Sequence, residues 1–410
     1  MVQEKLVSSE KTKNDNNVYH DELIVPKIRF SEFIDSWEKI TLNDIATFSK
    51  GKGISKNDIS DKGTPCIRYG ELYTKYNYLI SNIDSKTDLD KSELIFSEKN
   101  DILMPCSGET AIDLASASCV TRENVAIGGD ITVIRTNQYS PFITYCINFK
   151  KNEIAKFAQG VSIVHLYAKD FKDITLKIPK IEEQKKIVDF LEKIDKKIEL
   201  LEKKYNEKLI FKEEFVNKYM SSLSKETQKI KLNNLIKILN DRNKNNDDLE
   251  VLSISNKLGF ISQEKQFEDR IVASSDTKNY KIVKKGYFAY NPARINVGSI
   301  ARLKNYDEGI ISPMYIVFKI NEDLINPIFF ENYLSTNYFK LEILKRLEGS
   351  VRLILSAESL KNIEIFIPPL DEQDKISSFM ITLTKNLELS KIELDNFKEF
   401  KKGLLQKMFV

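Results

Sequence analysis

The sequence predicts an α+β protein: two mixed α/β units joined by a long antiparallel two-helix coiled coil, with an internal repeat about a pseudo-two-fold axis. Three observations lead there. The stretch Ile178–Met220 is written again at Ile367–Phe409 without a gap, 189 residues on, as Gln184 is from Gln373. Identities in that register include Pro179/Pro368, Glu183/Glu372, Gln184/Gln373, Ile187/Ile376, Phe190/Phe379, Leu200/Leu389 and Phe211/Phe400. The match runs back through Ala168/Ala357 and Leu166/Leu355 to Gly160/Gly349. A repeat this long is one supersecondary unit used twice.

The second observation is the spacing inside the repeat. Ile187, Leu191, Ile194, Ile198, Leu201 and Tyr205 fall at alternating four- and three-residue steps. Ile376, Met380, Leu383, Leu387, Ser390, Leu394 and Phe397 keep the same rhythm with one polar member. Such an a/d seam among Lys and Glu is the coiled-coil pattern, and Pro179 and Pro368 stand where a proline is tolerated at a helix start. An ordinary amphipathic helix on a globular core is the alternative. The seam's length and its duplication favour two helices that pack on each other. At 1.5 Å per residue, about forty residues span roughly 60 Å.

The third is connectivity. The segment between the copies leaves the C-terminus of the first helix and enters the N-terminus of the second. If it is compact, the helices run antiparallel. The expected layout is a disordered polar tail (1–25), a first unit (26–177), helix one (178–224), a second unit (225–366) and helix two (367–410).

In chain order, the first unit contains the only tryptophan, Trp37, then short apolar runs with turn signals. Asp101–Met104 and Ile131–Arg135 read as strands, and Ser140–Gln159 as helical. In the second unit Lys231–Leu235 parallels Thr41–Ile45, and Tyr287–Tyr290 and Tyr315–Ile320 read as strands. The rod stays similar while the units diverge, which suits a scaffold presenting two different recognition surfaces.

Composition excludes a global electrostatic argument: charged residues are 30% of the chain, yet the net charge is +3. Cys66, Cys106, Cys119 and Cys146 all lie in the first half, at spacings that fit neither a zinc site nor a duplicated disulfide framework. Reduced thiols in a cytoplasmic protein are expected. The first twenty residues lack the apolar core of a targeting signal, and no membrane span is expected.

Catalytic motifs are scarce. There are two histidines, His20 and His165; the latter aligns with Ile354, which favours a structural role. HExxH, GxxxxGK[ST], GxSxG and CxxC do not occur. Ser49–Gly53 is a poor phosphate loop and reads as a flexible basic turn. Tyr290–Arg294 partly matches the Asn-Pro-Pro-aromatic loop of adenine amino-methyltransferases but lacks the second proline and the aromatic. Glu183-Gln184-Lys185 contains the Glu-x-Lys of a nuclease core but falls on a charged helix and reads as solvated surface.

Nucleic-acid recognition fits better. Loops with Arg, Asn, Ser and Tyr at turns offer base contacts, with Lys and Arg for phosphates. The candidates are Lys50, Lys52, Lys56, Arg68, Tyr69, Ser107 and Thr110 in the first unit, and Asn291, Arg294, Asn296, Ser299 and Arg302 in the second. Solvated loop residue is the plain alternative for each, and Arg135 is assigned to a strand.

Several stretches then resemble one family. They are Pro26–Phe30 with Trp37, the block Gly160–Ile187 with its counterpart Gly349–Ile376, and Pro-x-x-x-Glu-Gln-x-x-Ile at Pro179–Ile187 and Pro368–Ile376. From about Pro26 onward the chain resembles the DNA-specificity subunit of type I restriction-modification systems. The resemblance implies two target-recognition domains, each reading half of a bipartite double-stranded DNA site, with the helices setting the spacer. It implies two modification methyltransferase subunits docked on the chain, and restriction-translocase subunits in the full complex. S-adenosylmethionine, ATP and Mg would belong to those partners, with no cofactor, metal or catalytic residue in this chain. The block keeps Arg352 in its second copy where the first has Ile163. A protein-interaction scaffold and a specificity subunit of an orphan, methylation-only system remain alternatives.

Overall fold

The computed structural model describes residues 6–8, 23–160, 162–223, 227, 229–256, 258–263, 276–350 and 352–410. The chain divides into two compact units: unit 1 is Met1–Leu201 with Glu393–Val410, and unit 2 is Glu202–Ile392. Four helices organise them: α1 (Ser140–Phe149), α2 (Ile181–Leu223), α3 (Pro327–Leu334) and α4 (Leu370–Met408). Of the expected tail, 1–5 and 9–22 lie outside the described residues, and Leu6–Ser8 pairs antiparallel with Ile28–Phe30.

Unit 1 is built on a five-stranded sheet in the order Ala46–Lys50, Ile131–Thr136, Asp101–Pro105, Ser118–Val120, Leu79–Ile80. The last pair is parallel, the others antiparallel. Asp101–Pro105 lies third of five and is buried along its whole length, as its apolar run predicts. Both expected strands are present, and Arg135 sits in one of them, its guanidinium bonded to both oxygens of Asp101 at 2.9 and 3.0 Å. The expected helix 140–159 breaks at Lys150 into α1 and a second short helix, Lys151–Ile154.

Unit 2 carries two four-stranded sheets. One orders Ile236–Leu239, Ile316–Ile320, Phe288–Tyr290, Ile300–Arg302; the other orders Gly259–Ser262, Val251–Ser255, Glu308–Ile311, Lys281–Lys284. Its core is aromatic, with Phe288, Phe318, Phe329, Phe330 and Tyr333 all buried.

The two long helices pair antiparallel within each unit. In unit 1 Asp195 meets Lys401 and Lys197 lies over Phe397; in unit 2 Lys208 meets Ser390, Lys212 meets Thr384, and Phe215 meets Phe379. Ile187, Leu191, Ile194 and Leu201 are buried, as are Ile376, Met380, Leu387 and Leu394. The seam thus lies where the four-three spacing puts it. Past Tyr205 the first helix fills it with Lys208 and Lys212, whose ammonium groups donate to Ser390 and Thr384 hydroxyls at 2.7 and 2.9 Å.

The repeated Glu-Gln element is a joint, which overturns the solvated-surface reading of Glu183-Gln184-Lys185. Glu183 and Gln184 are both buried. Gln184 accepts from the Tyr139 N–H, which opens α1, at 3.1 Å and donates to the Pro179 carbonyl at 2.8 Å. Gln373 accepts from the Asn326 N–H, which opens α3, and donates to the Pro368 carbonyl, both at 2.8 Å. A helix start has unpaired N–H groups that need acceptors, and the amide supplies one while its own N–H is consumed. Glu183 receives Arg29 through two bonds of 2.8 and 2.7 Å and the Trp37 indole N–H at 3.3 Å. Charge on the surrounding helix masked a buried pair.

The block upstream closes the same hairpin twice. Gln159 bridges His165, and Glu348 bridges Ile354. Gly160 and Gly349 have φ of +121° and +112° there, a region that disfavours a side chain, and a Cβ would fall 2.2 and 2.4 Å from a backbone oxygen.

Candidate nucleic-acid interface

In unit 1 the sheet places Lys50 and Lys52 on one turn and brings Ser107 close to it. Lys50 ends the edge strand opposite Thr132. Gly51 then donates to the Ile131 carbonyl at 3.1 Å and Lys52 to Ile127 at 3.0 Å. A Cβ on Gly51 would lie 2.0 Å from the Gly128 carbonyl oxygen, so this basic segment is clamped rather than flexible, correcting the reading of Ser49–Gly53. Gly128 itself packs on Ile67 and Arg68.

Ser107 reaches the same neighbourhood through its strand partner His165. Its hydroxyl lies 3.0 Å from the His165 Nδ1, the imidazole stacks on Tyr167, and the Lys50 ammonium sits 4.7 Å from the Tyr167 ring centroid. Lys50, Tyr167, His165 and Ser107 form one continuous stack. His165 thus has its hydrogen-bond and stacking partners within its own unit. Tyr167 is not among the candidates; it meets Lys50 only through the fold, more than a hundred residues away in sequence, so no local pattern marks it.

The remaining unit 1 candidates are less free. Arg68 is held by Glu71 at 3.4 Å, and Glu71 also bonds Lys75 and the Ser85 hydroxyl. Burial pushes the Glu71 carboxyl up, but Ser85, the Arg68 N–H and Lys75 outweigh it and hold the group below the usual carboxylate range. Tyr69 is exposed at the start of a short helix, Tyr69–Thr74. Thr110 caps another, Ala111–Leu114, its hydroxyl engaged with Asp113. Lys56 lies apart on the 3-10 turn Lys56–Asp58.

In unit 2 four of the five candidates fall on one turn and the fifth, Arg302, ends the strand Ile300–Arg302; only two of the five side chains face solvent. Asn291 is buried: its Oδ1 accepts from the Ala293 N–H at 3.0 Å and its N–H meets the Ser299 carbonyl. Ser299 is buried too. Arg302 pairs with Glu331 at 3.3 Å and lies against the helices instead of the turn. Arg294 and Asn296 are exposed, Arg294 just ahead of the 3-10 turn Ile295–Val297 and Asn296 at its centre, and the turn ends at Gly298 with φ +93°. Asn291 and Ser299 build this turn, and Arg294 and Asn296 are what it displays. Exposed Met314, Val297 and Leu353 are further side chains that polar-residue reasoning passed over.

Among the described residues no group of three His, Cys, Asp or Glu is arranged to hold a metal. The four cysteines are buried and unpaired; burial raises the Cys66 thiol to about 11 and Cys119 to about 12, keeping both protonated. No helix among the described residues is long and apolar enough to cross a membrane.

The model of the type I restriction modification DNA specificity domain matches this chain twice, over residues 34–209 and 221–397. The chain belongs to that family. This specificity subunit is 23% identical over 408 residues to the type I restriction enzyme MjaVIII specificity subunit of Methanocaldococcus jannaschii, covering 90% of this chain and 91% of the relative. Its fold is similar to that of the S subunit of a type I restriction-modification system from M. genitalium: TM-score 0.60, 17% identity, 94% of this chain and 99% of the other. A chain from a structure described as covering complex assembly and conformational transition of the type I system gives TM-score 0.54 at 14% identity, over 91% and 97%. The repeat, the two units and the paired helices are accordingly those of a specificity subunit.

Proposed function

We propose that each unit reads one half of a bipartite double-stranded DNA site. Unit 1 would use the turn carrying Lys50 and Lys52 together with Arg68 and Ser107 from neighbouring segments, and unit 2 the turn displaying Arg294 and Asn296. One observation carries the reading: two specificity-domain matches within one chain, each containing the same long-helix joint while the displayed turns differ. Lysines would meet phosphates and the arginine a base edge. The two long helices would set the spacer between half-sites.

Docking of two modification methyltransferase subunits is supported by apolar positions that the repeat keeps exposed. Leu200 and Phe400 in unit 1 are 60% and 53% exposed, and their repeat counterparts Leu389 and Phe211 in unit 2 are 55% and 50%. Apolar side chains kept at equivalent exposed positions of a charged helix fit equivalent partners. In this reading the chain performs no chemistry. S-adenosylmethionine, ATP and Mg act in the methyltransferase and restriction-translocase subunits, in the cytoplasm. Incubating the purified chain with S-adenosylmethionine and genomic DNA tests it: no methyl groups should be incorporated until the methyltransferase is added. Enzyme-like incorporation by the chain alone would overturn the reading.

A further inference from the structure

In both units a lysine of one long helix crosses the seam to the other, at equivalent positions of the repeat: Lys401 to Asp195, and Lys212 to Thr384. In unit 1 the lysine is fully provided for. Its Nζ lies 2.5 Å from the Asp195 Oδ1, and the same carboxylate accepts the Tyr145 hydroxyl at 2.6 Å. The ammonium also sits 4.4 Å from the Tyr78 ring centroid and 5.6 Å from that of Tyr145.

In unit 2 these parts are replaced. Thr384, at the position of Asp195, offers a hydroxyl at 2.9 Å and no charge. Helices α1 and α3 share a start, since Tyr139 and Asn326 each give their N–H to the repeated glutamine. Six residues on from those points, Tyr145 is matched by Asn332, an amide in place of a ring. What remains is an open groove of about 910 Å³.

The groove is cationic. Lys212, Arg302, Lys304, Lys340 and Lys385 line it, against Glu213, Glu331 and Glu388. Glu331 is already shared by Arg302 at 3.3 Å and Lys304 at 2.5 Å. The Arg302 Nε is buried with no acceptor among the described residues. Burial, reinforced by Lys304 and only partly offset by Glu331 and Glu388, pushes the Lys212 ammonium below the usual lysine range. Beside these cations the lining combines an apolar patch of Val216, Ile328 and Met380 with uncharged polar side chains such as Asn332 and Ser335.

Cations over an apolar floor are the complement of a carboxylate beside an aromatic ring, which is what unit 1 supplies from its own chain. We propose that this groove is a docking site for a partner-protein segment presenting a carboxylate next to an aromatic side chain, with the carboxylate seated on Lys212 and Arg302. The proposal is independent of DNA reading and fails or stands separately from it.

The test uses the full chain with methyl-labelled Met and Ile and a blocked Tyr-Asp-Tyr peptide as probe. Saturable shifts of the Met380 and Ile328 methyls are expected, with the Tyr-Asn-Tyr peptide binding about tenfold or more weakly, the size expected for losing a charge-assisted contact. Thr384→Asp, which installs the carboxylate of unit 1, should weaken binding of the acidic peptide at least as much, and so should Lys212→Met. The Ile325 methyl in the unit 2 core controls for folding of the variants. Equal affinity for the two peptides, or binding unchanged by Thr384→Asp, would overturn the proposal. So would displacement of the peptide by duplex DNA or by inorganic phosphate at matched concentration, which would make the groove a general anion site.

Discussion

Replacing Glu183 with leucine should cost unit 1 about 3 kcal/mol or slightly more. The carboxylate is buried, receives both nitrogens of Arg29 at 2.8 and 2.7 Å and accepts from Trp37. The Arg29 side chain is itself only 12% exposed, so leucine would leave a guanidinium in a poorly solvated site. Removing one partner of a buried pair costs about 3–5 kcal/mol. The lower end applies because Arg29 keeps one bond, to the Asp35 carbonyl at 2.6 Å. For a unit of about 200 residues this is roughly 6–12 °C of Tm. The assay is built in: Trp37 is the only tryptophan and reports on this site directly. Urea titration followed by its fluorescence gives the change in midpoint. The double variant Glu183→Leu with Arg29→Met should recover most of the loss, since apolar replacement of a whole buried pair is often neutral. A single-variant cost under about 1 kcal/mol, the ceiling for an exposed pair, would refute the argument, as would a double variant no better than the single.

Three further outcomes follow from the geometry. Arg294→Ala should weaken recognition of one half-site by about 1–3 kcal/mol if the arginine contacts a base edge, and binding to DNA mutated in each half separately would reveal a uniform loss if it meets a phosphate. Inserting four residues near Lys203 and four near Ile392 lengthens each helix by about 6 Å; methylation of substrates with graded spacers should then favour one or two more base pairs, and an unchanged optimum would sink the spacer assignment. Glu71 is held below its unfolded value, so it stabilises unit 1 above about pH 4.5 and that contribution fades as pH falls through the lower folded value. Glu71→Gln should therefore be less stable than the parent at neutral pH and converge with it in acid; a gap that widened on acidification would contradict this.

The architecture was legible because the repeat carries its own internal control. Ile187, Leu191 and Met380 are buried where a four-three rhythm puts them, and the cores of the two units pack against those same positions. The joint was not legible. Glu183 and Gln184 stand among lysines and glutamates, and only the approach of Arg29 and of the Tyr139 N–H from distant segments makes them interior. The candidate interface was legible by turn and not by residue. Asn291 and Ser299 are turn formers of the sort that also contact bases, and burial assigns them to building. Arg302 was misplaced because its partner Glu331 lies on a separate helix that one sequence cannot pair with it.

The glutamine joint has a consequence for how such chains change over generations. Gln373 holds the start of α3 through main-chain groups, the Asn326 N–H and the Leu324 carbonyl, whereas Gln184 holds the start of α1 through the Tyr139 N–H and one side chain, the Gln138 amide oxygen at 2.9 Å. Main-chain atoms are the same whatever side chain they carry. The latch therefore depends mostly on the presence of a helix start and, apart from Gln138, little on its composition, so units with different surfaces can be seated on the same element. Changes on the displayed surface leave those bonds in place, while a change at either glutamine removes them.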